Sequence, residues 1–311
     1  MPEQKVLEVE QELRLDQLLA RAWPDLTRDA LKRMVREGAV LINDQAALKP
    51  GQRLHPGDRV VTEAPEIAES AQKASPVIPT REIDIAYEDD IMIVVEKPAG
   101  VAVRPTRQVK HGTVMQQLVE RFPDRAHIGG FERAGVLSRL EEEASGLVLV
   151  AKDKDAYREM RHLIKRQQME MTYSVLVEGH RTGEYNIEKP IGNVKYKRRK
   201  LQVSRQGRPA ITYYRAQRHY KVGGQSYSLL LIRPETSRMH QIRVHLSWYG
   251  FPIVGDRLYG SRHQTLLSDR LFMHLSVLEF QHPVSGKTIR VESELPRSLS
   301  SILEFMSRPK W

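Results

Sequence analysis

From about residue 81 onward, the chain repeats short apolar runs separated by charged or Gly- and Pro-containing turns. Ile91 to Val95, Leu147 to Ala151, Tyr173 to Val177 and Tyr227 to Ile232 have strand length and little polar interruption. Leu147 to Ala151 in particular is apolar without a break, the signature of a strand buried on both faces. Between the strands, Asp155 to Gln168 reads as a helix with Tyr157, Met160, Leu163 and Ile164 inward and its cations outward. Thr113 to Leu118 starts another helix, and residues 123 to 135 read as a loop. The first sixty residues follow a different rhythm. Leu15, Leu18, Leu19 and Ala22 recur at helical spacing until Pro24. Thr27 suits the N-cap of a second helix, which Gly38 stops. That helix has an apolar face of Leu31, Met34 and Val35, and an opposite face of Arg28, Lys32, Arg33 and Arg36. Val40 to Ile42 and Arg59 to Val61 read as strands, with turns at Asn43-Asp44 and Pro56-Gly57-Asp58.

The pattern predicts a small α/β unit over 13–63, a polar Pro-containing linker over 64–80, and a large unit over 81–311. The N-terminus is charged without an apolar core, so no signal peptide is expected. No stretch of about 18 apolar residues is present, so no membrane-spanning helix is expected.

Charge adds a partner class. Lys and Arg total 49 against 39 Asp and Glu, a net charge of +10. Such an excess suits a polyanion such as nucleic acid. It is concentrated in two places. One is the helix carrying Arg28 to Arg36. The other is residues 195–208, where Lys195, Lys197, Arg198, Arg199 and Lys200 cluster around Tyr196 without an acid. A solvated loop is the plain alternative; this density reads better as a hairpin contacting phosphates. Cysteine is absent, which excludes disulfides and thiolate-ligated metals and is compatible with a cytoplasmic setting.

Candidate chemistry lies where a charged loop meets the buried run Leu147 to Ala151. Arg139 precedes Glu141, Glu142 and Glu143, and Ala144-Ser145-Gly146 breaks the chain before the strand. Read on its own, this is a solvated acidic turn or an active-site loop on a rigid support. A second concentration follows the strand ending at Ile232: Arg238, His240, Gln241, Arg243 and His245. The two histidines lack a third ligand nearby, so a metal site is not expected.

Four stretches together resemble the RluA-like family of RNA pseudouridine synthases, one of them Met171 to Val177, similar to the family's Lys-x-Tyr-x-Ala-x-Val. Ser138-Arg139-Leu140-Glu141-Glu142-Glu143-Ala144-Ser145-Gly146-Leu147 is similar to the family's His-Arg-Leu-Asp-x-x-Thr-Ser-Gly-Leu. The run around Lys97-Pro98-Ala99-Gly100 is similar to its strand and Lys-Pro-x-Gly turn. Residues 233–260 are similar to its Thr-Gly-Arg-Thr-His-Gln-Ile-Arg-Val-His and Gly-Asp-x-x-Tyr-Gly. The small unit resembles the S4-type RNA-binding domain. The resemblance implies an α+β body with a large mixed, mostly antiparallel sheet, flanking helices and a central RNA-binding cleft. It implies pseudouridine formation in structured RNA, ribosomal or transfer RNA, by a cytoplasmic monomer without cofactor.

By the same resemblance Glu141, Tyr173 and Arg243 are catalytic. Arg139 enters the space of the flipped nucleotide. Arg28, Lys32, Arg33, Arg36, Lys197, Arg198, Arg199, Lys200, Arg238 and His240 contact RNA. Departures from the family pattern are Ser138 for His, Glu141 for Asp and Ala144 for Thr on the loop, then Met171 for Lys, Ser237 for Gly and Met239 for Thr further on. Glu keeps the charge but lengthens the arm by about 1.5 Å, and a shift near 1 Å can cost roughly a hundredfold in rate. Two readings therefore stand: an RNA uridine isomerase, and a non-catalytic RNA-binding relative. A carboxylate glycosidase is disfavoured by the basic surface.

Overall fold

All seven residues of Ser145–Ala151 are buried, and the larger part of the chain is built outward from this strand. The computed structural model describes residues 4–23, 28–63, 83–106, 109, 111–129, 133–194, 197–261, 266–267 and 270–308, and only the backbone of 28–30 and 197–199. Pro24, Thr27 and the expected linker lie outside the described residues. Contacts divide the chain into two units, residues 1–81 with 115–135, and 82–114 with 136–311.

The first unit contains β1 (Gln4–Glu8), β2 (Leu13–Arg14), α1 (Leu15–Ala22), α2 (Arg28–Arg36), β3 (Val40–Ile42), β4 (Gln45–Ala46), β5 (Arg53–Leu54) and β6 (Arg59–Glu63). Its core joins Leu15, Leu19, Leu31, Met34, Val35, Val40 and Val60, inward positions that the helical spacing and strand runs predict, with Leu54, which they did not. Asn43 and Asp44 both have positive φ, 50° and 64°, as a tight β3–β4 hairpin turn requires. β1 has no counterpart in the sequence reading; it completes the sheet by pairing antiparallel with β6.

The second unit adds β7 (Ile85–Glu88), β8 (Met92–Lys97), α3 (Val114–Arg121, which crosses into the first unit), β9 (Ser145–Ala151), α4 (Lys154–Lys165), β10 (Met169–Glu178), β11 (Glu184–Glu188), β12 (Ile191–Val194), β13 (Lys197–Val203), β14 (Ile211–Val222), β15 (Gln225–Pro234), α5 (Gln241–Trp248), β16 (Met273–Gln281), β17 (Thr288–Glu292) and α6 (Arg297–Ser307). A nine-stranded sheet runs β11-β14-β15-β10-β16-β9-β8-β7, with β17 on β16. Its pairings are antiparallel except β9 on β16, so the fold is α+β with a mixed, mostly antiparallel sheet. Asp153 caps α4 by accepting from the Ala156 amide at 2.8 Å, and Tyr157 and Met160 face inward as expected. Within the basic stretch, Lys197–Val203 form β13, antiparallel to β12, while Lys195 and Tyr196 lie outside the described residues.

Cross-strand register brings distant segments into one line. Lys97 pairs with Gly146, Gly146 with Leu275, Leu275 with Tyr173, and Tyr173 with Ile232. The acidic loop that precedes Gly146 therefore opens beside Tyr173, two strands away.

Candidate active site

Gly146 shows why the loop must end where it does. Its φ is +119°, and a Cβ there would lie 2.3 Å from the Leu275 carbonyl oxygen. Only glycine allows β9 and β16 to approach this closely. The break expected at Ser145-Gly146 is thus the first residue pair of the strand itself. Ser145 is buried, and its hydroxyl meets His274 Nδ1 at 2.9 Å and accepts from Arg270 Nη2 at 2.8 Å. Burial lowers the His274 pKa to about 4, helped by the Arg270 charge.

Two further contacts hold the acidic loop. Lys97 is almost wholly buried, and its ammonium donates to the carbonyls of Pro98 (2.9 Å), Val101 (2.7 Å) and Glu142 (3.2 Å). The Gly100 amide donates to the same Glu142 carbonyl at 2.8 Å. Burial, then repulsion from Arg270, lowers the Lys97 pKa to about 7, against attraction from Glu142 and Glu143. The Lys-Pro-x-Gly turn therefore clamps the loop backbone one residue past Glu141. On the other side, Ser138 Oγ accepts from the Leu149 amide at 2.9 Å. A serine at this departure position still ties the loop to β9. Ala144 is fully buried, and its amide closes a turn onto the Glu141 carbonyl at 3.2 Å.

Arg243 faces Glu141 from α5. It is 3% exposed. Its Nε and Nη2 donate to the two oxygens of Asp256 at 2.9 and 2.7 Å, a bidentate pair. The remaining Nη1 donates to Glu141 Oε2 at 2.5 Å and lies 3.7 Å from Glu143 Oε2. The Glu141 side chain is 23% exposed, so one oxygen is bound while the group stays accessible. Burial opposes the Arg243 charge, but bonds and charges from Asp256 and Glu141 outweigh it and raise its pKa. Asp256 is pushed up by burial and pulled further down by Arg243 and by the Tyr259 and Leu258 amides, so its pKa falls below the usual carboxylate range.

Tyr173 sits at a β-bulge on β10, between Thr172 and Tyr173, that re-aims the strand beside β16. It is 6% exposed. Burial first, then the Glu141 charge, raises its pKa. The helix bearing Arg243 is locked at its start by Gln241. That buried amide donates to Ile211 O and Thr212 Oγ1, each at 2.9 Å, and accepts from Thr236 Oγ1 at 2.8 Å.

The two histidines separate. His245 is fully buried, with Nδ1 on Thr212 Oγ1 (2.9 Å) and Nε2 on the Lys189 carbonyl (2.8 Å), a structural role. His240 is not inside the helix but caps it, with φ +52°, and its Nδ1 lies 3.0 Å from the Tyr259 hydroxyl. Burial lowers the His240 pKa, with Glu141 opposing. Tyr259, which sequence reasoning passed over, is the junction. Its hydroxyl accepts from the Leu201 amide of β13 at 3.0 Å, and its ring lies 5.4 Å from both Lys200 Nζ and the Arg243 guanidinium. Through it the basic hairpin meets the carboxylate site. The signal was present in the Gly255-Asp256-Arg257-Leu258-Tyr259-Gly260 run, but nothing local ties that run to Arg243.

The other expected contacts spread out. Arg139 is exposed and in no ion pair among the described residues. Arg238 donates to the Pro209 carbonyl at 3.0 Å on the loop before α5. Lys197, Arg198 and Arg199 are on β13, with side chains outside the description. Arg28, Lys32, Arg33 and Arg36 are on α2 of the other unit, where Arg33 lies 3.9 Å from Glu37.

A deep carboxylate–guanidinium–carboxylate chain on a mixed sheet, beside a bulged tyrosine, defines a site built to hold one partly accessible acid. The family model for RNA pseudouridylate synthase matches residues 91–248, and that for the S4 domain matches residues 13–60. The chain belongs to the RNA pseudouridylate synthase family and carries an N-terminal S4 domain. An uncharacterized RNA pseudouridine synthase of Aquifex aeolicus is 34% identical, covering 95% of this chain and 94% of that one. Ribosomal large subunit pseudouridine synthase D of Escherichia coli K12 is 32% identical, covering 94% and 90%. The solved human RNA pseudouridylate synthase domain containing 1 shares 27% identity at a TM-score of 0.58, covering 71% of this chain and 87% of that one.

Proposed function

We propose that this protein converts uridine to pseudouridine in ribosomal RNA, with Glu141 as the reacting carboxylate. The observation that carries the reading is the single bond from Arg243 Nη1 to Glu141 Oε2, from a guanidinium whose Nε and Nη2 are fixed on Asp256. It leaves the second Glu141 oxygen to face substrate. The reaction breaks the C1′–N1 bond of uridine, turns the base, forms C1′–C5, and moves the C5 proton to solvent while N1 is protonated. Glu141 would act on the sugar, attacking or stabilising C1′ or removing a proton from C2′. Arg243 holds it charged by opposing charge. Tyr173 stacks on the base or passes the proton. Arg139 occupies the vacated helix position.

Lys97 and Gly100 hold the loop backbone at Glu142, next to the longer Glu arm. Support for a ribosomal substrate comes from the relatives named above and from the S4 domain, whose Lys32, Arg33 and Arg36 would meet phosphates and set affinity without sequence information.

The test is carbodiimide primer extension, with tritium release from labelled uridine, on ribosomal RNA from cells lacking the gene. Wild type should modify a discrete site, and Glu141→Gln should not. Equal modification by Glu141→Ala would overturn the mechanism. Unmodified RNA in the presence of bound wild-type protein would leave an RNA-binding factor. Higher turnover in Glu141→Asp would identify arm length as limiting.

A further inference from the structure

The cross-strand row that carries Tyr173 does not stop at the candidate site. Tyr173 pairs with Ile232, Ile232 with Tyr214, and Tyr214 with Tyr185. Directly opposed residues share a sheet face. Three strand spacings of about 4.8 Å put Tyr185 about 14 Å from Tyr173 along the row. α5 packs against β14 and β15 within this interval, with Arg243 near its start and Trp248 at its end.

At that far end a cluster of rings collects. Tyr249 lies 5.5 Å from Tyr185, 5.2 Å from Trp248 and 5.9 Å from Phe251, and Tyr214 lies 5.6 Å from Phe251. Phe251 is fully buried and forms the floor, while Trp248 is 51% and Tyr185 50% exposed. Large rings left open side by side mark an interaction surface. Two cations lie against these rings. Lys189 Nζ is 5.2 Å from the Trp248 ring, and the Arg181 guanidinium is 4.2 Å from Phe251. Arg181 Nε is buried with no hydrogen-bond partner among the described residues. Strand alternation turns Glu184 and Glu188 of β11 to the opposite face from Tyr185. Open rings beside cations match the chemistry of bases joined by phosphates.

We propose that Trp248, Tyr249 and Tyr185, with Lys189 and Arg181, form a base-stacking platform for unpaired nucleotides of the substrate RNA, about four stacked steps of 3.4 Å from the reacting uridine. The platform rests on the isomerase reading only for the identity of the RNA that reaches it, since stacking is measured without turnover.

The experiment titrates the full chain with a fluorescent single-stranded oligouridylate and with an RNA duplex of equal phosphate number. Trp248→Ala should weaken oligouridylate binding about fivefold to a hundredfold, and Trp248→Phe should restore most of it. Duplex binding and the salt dependence should be unchanged in Trp248→Ala, whereas Lys189→Ala should lower the salt slope by about one. An oligouridylate carrying 4-thiouridine should crosslink to the peptide containing Trp248 and Tyr249. Wild-type oligouridylate affinity in Trp248→Ala, equal loss on both probes, or no binding by wild type would overturn the platform. Stacking without pseudouridine formation would support the platform while sinking the isomerase. Normal pseudouridine formation with no Trp248 effect would do the reverse.

Discussion

Asp256→Asn changes almost no volume and removes one charge, so it isolates what orients Arg243. In the wild type, Asp256 takes two of the Arg243 donors, and its Oδ1 also accepts from the Leu258 and Tyr259 amides, each at 2.9 Å. An asparagine oxygen can keep the backbone bonds. Its NH2 group then points at a guanidinium donor, and with Arg243 only 3% exposed water cannot compensate. Breaking one side of a buried ion pair costs about 3–5 kcal/mol. Glu141 still holds one Arg243 nitrogen, which argues for the lower end, about 3 kcal/mol. For a unit of about 200 residues, that corresponds to a Tm lowered by roughly 6–12 °C.

Activity should fall further than stability explains. A freed guanidinium no longer fixes Glu141, and a displacement near 1 Å costs about a hundredfold. The pH dependence separates the two effects. The Asp256 pKa is depressed in the folded state, so its stabilisation is present above the unfolded value of about 3.9 and is lost as pH falls toward the folded value. Below about pH 4 wild type should therefore lose stability more steeply than Asp256→Asn. Calorimetry across pH, with single-turnover pseudouridine formation at neutral pH, measures both quantities. An unchanged Tm with unchanged turnover would refute the claim that Asp256 sets the site's geometry.

Three other outcomes are expected. Gly146→Ala should strain a backbone at φ +119° and drive a Cβ into the Leu275 carbonyl, destabilising by more than the roughly 1–3 kcal/mol of backbone strain alone; thermal unfolding of the soluble fraction reads this directly. Lys97→Met should flatten the stability–pH curve between about 7 and 10. The folded Lys97 pKa is lowered to about 7 from about 10.4 unfolded. The unfolded state thus binds more protons in that window, and wild-type stability rises with pH there. Tyr259→Phe should cut the hydroxyl bonds to Leu201 and His240 at a cost of about 1–2 kcal/mol. Loosening the basic hairpin should weaken RNA binding several-fold, measured by titration at low salt, while leaving Glu141 on Arg243.

Local order alone made much of this protein legible. The β9 run is apolar without interruption because both its faces are covered, and the helices at α1, α2 and α4 follow their apolar spacing. Asn43-Asp44 and Gly38 mark turns because few residues adopt positive φ. The loop carrying Glu141 and the helix carrying Arg243 were readable from resemblance, as was Tyr173. β1 was not readable, since a half-exposed edge strand has no strong pattern until its partner β6 is known. Nor was the capping position of His240, which Gln241 and its neighbours impose.

What the sequence decided by itself is therefore the inventory: which segments are strands or helices, where the cations gather, and which acid stands in the motif. Those properties follow from side-chain period, charge and backbone freedom within a few residues. The tertiary structure alone decided that Asp256 and Glu141 share one guanidinium, that Lys97 clamps Glu142, and that Tyr259 joins the basic hairpin to the site. Each of these pairs residues far apart in the chain through strand register and burial, and neither quantity exists until the sheet has closed.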